Sequence, residues 1–154
     1  MKMKNFKTLF LSLTLVIMAI VLNSCDKETN GNTASINELN LNSKKWQSHA
    51  IKNYQFTEQL NCFCIVRGPF LITVTSNEIT AVKNKEGNDA DNYRVSVKTI
   101  DDLFLYIKTS LEKKPAIATI KYNDTYGYPE SIYFDFDKQM ADEEMGYIIS
   151  ELSK

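Results

Sequence analysis

The apolar positions of the middle of the chain recur with a period of two, which is the period of a β-strand with one buried face. Tyr54, Phe56, Leu60, Cys62 and Cys64 fall on one side of such a strand. The Gly-Pro pair at 68–69 interrupts the pattern, which resumes over residues 70–74 and again over 79–82 after a turn at 76–77. The sequence therefore predicts three antiparallel strands in this half.

The second half begins with a helical period. Thr99 is a typical helix cap, and the apolar residues that follow it are spaced as on one face of a helix: Leu103, Phe104, Ile107 and Leu111. Pro115 ends this helix, and alternation then predicts strands over 118–122 and 132–136. Residues 147–149 fit a last strand at an edge of the sheet or a short helix.

A first helix is predicted to begin at Asn42 or Ser43 and to place Trp46 at the edge of the core. The predicted fold is α+β: a single antiparallel sheet of five to six strands with two helices on one face, in the order α-β-β-β-α-β-β-(β). The globular domain is assigned to residues 42–154. The repeated element order suggests an internal duplication as a hypothesis, without a residue-level repeat behind it.

The N-terminus has the pattern of an export signal: three lysines and then an almost continuous apolar run over residues 9–21. This run is shorter than the roughly 20 residues that span a membrane. Leu22 and Ser24 stand at −3 and −1 before Cys25, the spacing of a lipobox. Residues 1–24 are therefore assigned as a signal peptide.

These residues resemble the processing site of bacterial lipoproteins, which implies a lipid such as palmitate on Cys25. The resemblance implies a cell-envelope location, anchored to the outer membrane and facing the periplasm or the cell surface. Residues 25–41 are interpreted as the lipidated cysteine and a flexible polar tether. Within it, Asp26-Lys27-Glu28 resembles a surface-export signal, with a solvated charge cluster as the alternative.

Charge makes nucleic acid a poor partner for the mature chain. Removal of Lys2, Lys4 and Lys7 with the signal peptide lowers the 18 basic residues to 15, against 19 acidic ones. The two arginines, Arg67 and Arg94, form no basic stripe that would neutralise phosphates. The expected partners are the membrane, through the N-terminal lipid, and an unknown envelope or extracellular protein or glycan.

Cys62 and Cys64 are the strongest candidates in the domain for a disulfide or a metal site. Residues i and i+2 of a regular strand lie about 6.7 Å apart at Cα with diverging side chains, so a bridge between them requires a bend. Three interpretations stay open: a disulfide, a soft-metal site with a further ligand, or two buried thiols. Structural roles are favoured over metal binding, because His49 and two methionines supply the other soft or imidazole ligands of the mature chain.

No pattern indicates an enzyme: there is no Ser/His/Asp ordering and no glycine-rich phosphate loop. No cofactor is expected, and the acidic residues between 135 and 144 are interpreted as a solvated turn. Tyr126, Tyr128 and Tyr133 surround a Gly-Tyr-Pro turn and suggest an aromatic surface for a protein or glycan. Core packing explains some of them equally well.

Trp46, Tyr54, the Cys62-Phe63-Cys64 motif and the segment 122–129 carry a further resemblance. Over residues 46–152 the chain resembles a bacterial family of secreted and lipid-anchored domains of unknown function. That resemblance implies an α+β fold outside the cytoplasm and transfers no catalytic residue. The sequence thus favours a non-catalytic binding module, with a thiol-based metal-binding or redox protein as the alternative.

Overall fold

The computed structural model describes residues 31–65 and 68–154, and side chains from residue 36 onward. Leu22, Ser24 and Cys25 lie outside the described residues, so cleavage and lipidation stay predictions. The described residues form six strands and two α-helices, with a 3-10 helix, Asp91–Ser96, between β3 and α2. The elements are α1 Gly31–Ser48, β1 Tyr54–Cys62, β2 Phe70–Thr75, β3 Glu78–Lys83, α2 Ile100–Glu112, β4 Ile117–Tyr122, β5 Pro129–Asp135 and β6 Met145–Ser153.

All six strands belong to one antiparallel sheet in the order β3-β2-β1-β6-β5-β4. The predicted fold class and element order are confirmed. The last element is a strand, but it lies in the centre of the sheet, where it pairs with β1 and β5. The prediction of an edge position was wrong, because hydrogen-bonded strands flank β6 on both sides and the residue pattern of one strand does not show how many neighbours it has.

This strand order bears on the duplication hypothesis. Counted outward from the centre, one half reads β1, β2, β3 and the other reads β6, β5, β4. The first strand of one half therefore occupies the place of the last strand of the other. Read from one edge of the sheet to the other, however, both halves run in the order third, second and first strand, so the duplication stays a hypothesis.

Helix α1 begins at Gly31 and not at Asn42 or Ser43 as predicted. The part of the predicted tether from residue 31 onward is thus helical, and Leu39 within it is buried. Leu39 and Trp46 are seven residues apart, two helical turns, and so lie on the same face of α1. The sequence offers little indication of this, because Leu39 is a single buried position among polar and exposed neighbours.

Helix α2 begins as predicted with Thr99 as its cap. The Asp102 N–H donates to Thr99 Oγ1 at 3.0 Å, and the Thr99 N–H donates to Asp102 Oδ2 at 3.3 Å, which completes a capping box. The stripe of α2 that includes Leu103 and Ile107 is buried against the sheet. Both helices cover the same face, and the other face of the sheet is left open.

The two helices are joined through Trp46, whose Nε1 donates to Asp101 Oδ1 at 3.1 Å. The Trp46 ring also packs edge-on against Tyr54 of β1, with centroids 5.4 Å apart. The one tryptophan of the chain thus ties α1 to α2 and to the sheet. None of the helices within the described residues is long and apolar enough to cross a membrane.

Candidate functional site

The open face of the sheet carries a concavity with a volume of about 470 Å³. Strands β1, β2 and β6 form its floor, and the loop that follows β3 forms one wall. The floor exists because the alternation that buries Phe56 and Ile72 sends their neighbours to the opposite face. The described lining residues are Thr57, Gln59, Pro69, Leu71, Asn84, Lys85, Gly87, Ile148, Ser150 and Glu151.

A β-bulge shapes one end of this concavity. The register between β1 and β6 shifts between Gln55 and Thr57, and Glu151 on the opposite strand has a positive φ of 57°. The shift brings the Glu151 carboxylate within reach of β1, where Thr57 Oγ1 donates to Glu151 Oε2 at 2.9 Å. The floor therefore combines apolar side chains with an oriented carboxylate and hydroxyl.

Cys62 ends strand β1, and a bend over residues 63–65 follows it. The bend brings Cys62 and Cys64 together as a disulfide with their Cα atoms 5.3 Å apart, well below the separation in a regular strand. Both cysteines are half-buried, whereas Phe63 between them is 75% exposed and Ile65 is fully exposed. Two large apolar side chains thus project into solvent on either side of Cys64.

A bridge between residues two apart closes a very small loop. On the chain-entropy account a three-residue loop is worth about 1.6 kcal/mol, against about 3 kcal/mol for a loop of 15 residues. The disulfide is therefore expected to contribute little to the stability of the fold. Among the described residues no group of three His, Cys, Asp or Glu side chains is placed to hold a metal ion.

Glu58 is a buried carboxyl group that the sequence analysis missed. It is 0% exposed, its Oε2 accepts from the Lys98 N–H at 3.3 Å, and its Oε1 has no partner among the described residues. Burial raises the pKa of Glu58 to about 8, against the opposing effects of the Lys98 N–H and of the Lys98 charge. Glu58 lies two residues from both Phe56 and Leu60, so the period of two already places it on the buried face of β1.

The surroundings of Glu58 are aromatic. Lys98 Nζ lies 5.8 Å from the ring centroids of both Tyr106 and Tyr147, within cation–π distance. Burial raises the pKa of both tyrosines. Because Glu58 lies on the core side of the sheet and is sealed from solvent, it cannot touch a ligand in the concavity on the other side.

The three tyrosines proposed as one surface do not lie together. Tyr128 is buried, with its ring 6.3 Å from that of Trp46. Tyr126 is half-buried between the His49 ring and the Lys154 ammonium group. Tyr133 alternates with the core residues of β5 and so lies on the open face. The three tyrosines therefore do not form one patch, and core packing, the alternative that the sequence left open, explains Tyr128.

The acidic segment after β5 makes local contacts. The Gln139 N–H donates to Asp137 Oδ1 at 3.0 Å, and the Asp137 N–H donates to Glu143 Oε1. Asp135, at the end of β5, is buried, and its Oδ1 has no partner among the described residues. The carboxylates of this segment thus accept hydrogen bonds from its own backbone N–H groups, as in a turn.

Comparison with known proteins gives one family and no activity. No curated protein and no solved structure matches the chain. Residues 38–154, from the middle of α1 to the C-terminus, match a family of unknown function designated DUF6174. The match covers every strand of the sheet and both cysteines of the bridge, and the chain therefore belongs to the DUF6174 family.

Proposed function

We propose that the protein is a lipid-anchored component of the bacterial cell envelope, and that its domain is a non-catalytic binding module. The observation that carries the second part is the open face of the sheet, a broad surface with a concavity at its centre. The first part rests on the apolar run over residues 9–21 and on the lipobox that ends at Cys25.

The composition of the concavity favours a protein partner over a glycan. Leu71 and Ile148 provide exposed apolar surface on neighbouring parts of the floor, and Lys85 and Glu151 supply charge at its rim. The described lining contains no aromatic ring on which a sugar would stack. Mixed apolar and charged surfaces of this kind are typical of protein interfaces.

Site-specific photocrosslinking in the producing cell tests the binding module. A photoreactive phenylalanine analogue replaces Ile148, which is 44% exposed on the open face, and in a matched strain replaces Leu105, which is 59% exposed on α2. We expect a discrete covalent adduct with one envelope protein from position 148 and none from position 105. Equal adducts from both positions, or none from position 148, would count against the open face.

Metabolic labelling with a radioactive or clickable fatty acid tests the anchor. We expect label in the unaltered chain and none in Cys25→Ala, because the thiol that receives the lipid is then missing. The variant should also keep its signal peptide, since cleavage follows acylation. Label and normal maturation in Cys25→Ala would contradict the anchor and leave the binding module untouched.

The second candidate function is a thiol-based one, and the proximity of Cys62 and Cys64 favours it. A disulfide that closes so small a loop contributes little stability, so stability alone is a poor explanation for the presence of the two cysteines. In a redox role, the oxidised disulfide is itself the reactive group. A soft-metal role needs its reduction and a further ligand such as Met145, which lies opposite Cys62 in β6.

A further inference from the structure

Two hollows share lining residues near the bridge, and one of them reaches Ile65, the residue directly after Cys64. A second hollow of about 320 Å³ is lined by Ile65, Gly68, Phe70 and Glu86 together with Pro69, Asn84 and Lys85. The last three residues also line the concavity on the open face. The two hollows therefore adjoin at these three residues and together form the groove, and Ile65 of the second hollow directly follows Cys64.

We propose that the Cys62–Cys64 disulfide oxidises a pair of cysteine thiols in an extended segment of another exported protein, which the groove and the side chains of Phe63 and Ile65 hold. The inference rests on the second candidate function, for which it names the substrate class. An extended polypeptide suits this groove because two adjoining hollows line it with both apolar and polar residues, and because the exposed side chains of Phe63 and Ile65 stand on either side of Cys64.

The chemistry needs nothing beyond the two proteins. A thiolate of the partner attacks one sulfur of the bridge, the S–S bond breaks, and its electron pair leaves on the other cysteine, which takes a proton from water. The partner's second thiol loses its proton to water and attacks the partner sulfur of the mixed disulfide. Cys62 and Cys64 are released as two thiols, and the partner carries the new disulfide. Two electrons and two protons have passed from the partner to this chain.

The placement of Phe63 and Ile65 predicts which thiols react. Phe63 and Ile65 are exposed in the folded chain, and their burial against apolar neighbours of a substrate cysteine would stabilise the encounter. Thiols that are flanked by polar residues lack that contact. The disulfide should therefore select cysteines in apolar, extended segments, the kind that an exported protein exposes before it folds.

Exchange between two synthetic peptides and the oxidised full-length protein in detergent tests the proposal. Each peptide carries two reduced cysteines, flanked in one by valine and leucine and in the other by serine and glycine. Acid quenching, alkylation and mass spectrometry measure the peptide disulfide with time. The double variant Cys62→Ser/Cys64→Ser, which keeps Cys25, is the blank, and Trp46 fluorescence confirms that each variant is folded.

We expect one peptide disulfide per chain, formed about tenfold faster with the apolar peptide. Phe63→Ser and Ile65→Ser should each reduce this preference, whereas Val95→Ser, which removes an equally exposed apolar side chain elsewhere, should keep it. Equal rates for both peptides would overturn the proposed substrate class and leave a redox-active bridge. A bridge that stays intact with both peptides would overturn the proposal together with the second candidate function, whereas crosslinking at Ile148 reports whether the open face is occupied and not whether the bridge reacts.

Discussion

Glu58→Gln should remove a loss of stability that this domain shows as pH rises from 5 to 8. The carboxyl group is fully buried on the core side of β1, where its pKa is raised from the ordinary value of 4.5 to about 8. In the unfolded chain the same group ionises near its ordinary value. Between these two pKa values the folded state holds a proton that the unfolded state has lost, so stability decreases as pH rises.

The size of the effect follows from the interval between the two pKa values. That interval corresponds to about 5 kcal/mol if the whole of it is realised, and to about 3 kcal/mol between pH 5 and pH 8. The contribution is fully present below the unfolded pKa of 4.5 and is lost as pH rises through 8. Glutamine keeps an oxygen for the Lys98 N–H and never ionises, so it removes this dependence. Its amide –NH₂ group takes the place of Oε1, which has no partner among the described residues, and this costs about 1–2 kcal/mol at every pH.

Urea denaturation at pH 5, 6, 7 and 8, followed by the fluorescence of buried Trp46, measures the free energy of unfolding. We expect the unaltered chain to lose about 3 kcal/mol more than Glu58→Gln across this range, so that the two curves cross. Glu130→Gln is the control, because its bonds with Lys121 and Asn123 lower the pKa of Glu130 and keep it ionised from pH 5 to pH 8. Parallel curves for Glu58→Gln and the unaltered chain would refute the reasoning.

Three further pairs of substitutions test the packing by the same denaturation assay. Leu39→Ala should cost about 2–4 kcal/mol because Leu39 is buried, whereas Leu41→Ala, at a position 69% exposed, should cost less than about 0.5 kcal/mol; equal losses would mean that α1 is not part of the core. Gly127→Ala should destabilise more than Gly87→Ala: both have φ near 80°, but a Cβ at 127 would lie 2.6 Å from the Asn42 carbonyl oxygen and one at 87 meets nothing within 4 Å. Cys62→Ala and Cys64→Ala should each cost about 1–2 kcal/mol, and a loss above about 4 kcal/mol would show that the bridge is a stronger staple than its small loop allows.

The strands and α2 were predictable because each has a local signal. Alternation places Phe56 and Ile72 on the buried face without reference to any other element, and the cap at Thr99 sets the start of α2 through bonds within four residues. The order of the strands was less accessible. Pairing of β1 with β6 joins residues about 90 positions apart, and nothing local in either strand specifies the other.

The candidate sites illustrate the same limit. Cys62 and Cys64 could be singled out by type and spacing, but the bend that brings them together depends on the end of β1. The split of Tyr126 from Tyr128 depends on how the turn lies against α1, where Gly127 approaches the Asn42 carbonyl. The groove is least visible of all, because strands from both halves of the chain and a loop between them form it.

The start of α1 constrains how the domain would sit if Cys25 carries a lipid. Only residues 26–30 separate that cysteine from Gly31, and a chain of this length spans at most about 20 Å when fully extended. The long tether predicted from composition would have let the domain move far from the bilayer, whereas a helix from Gly31 keeps it close to the surface. With such an anchor, we expect a partner on the open face to be a membrane-associated protein or one that passes close to the membrane.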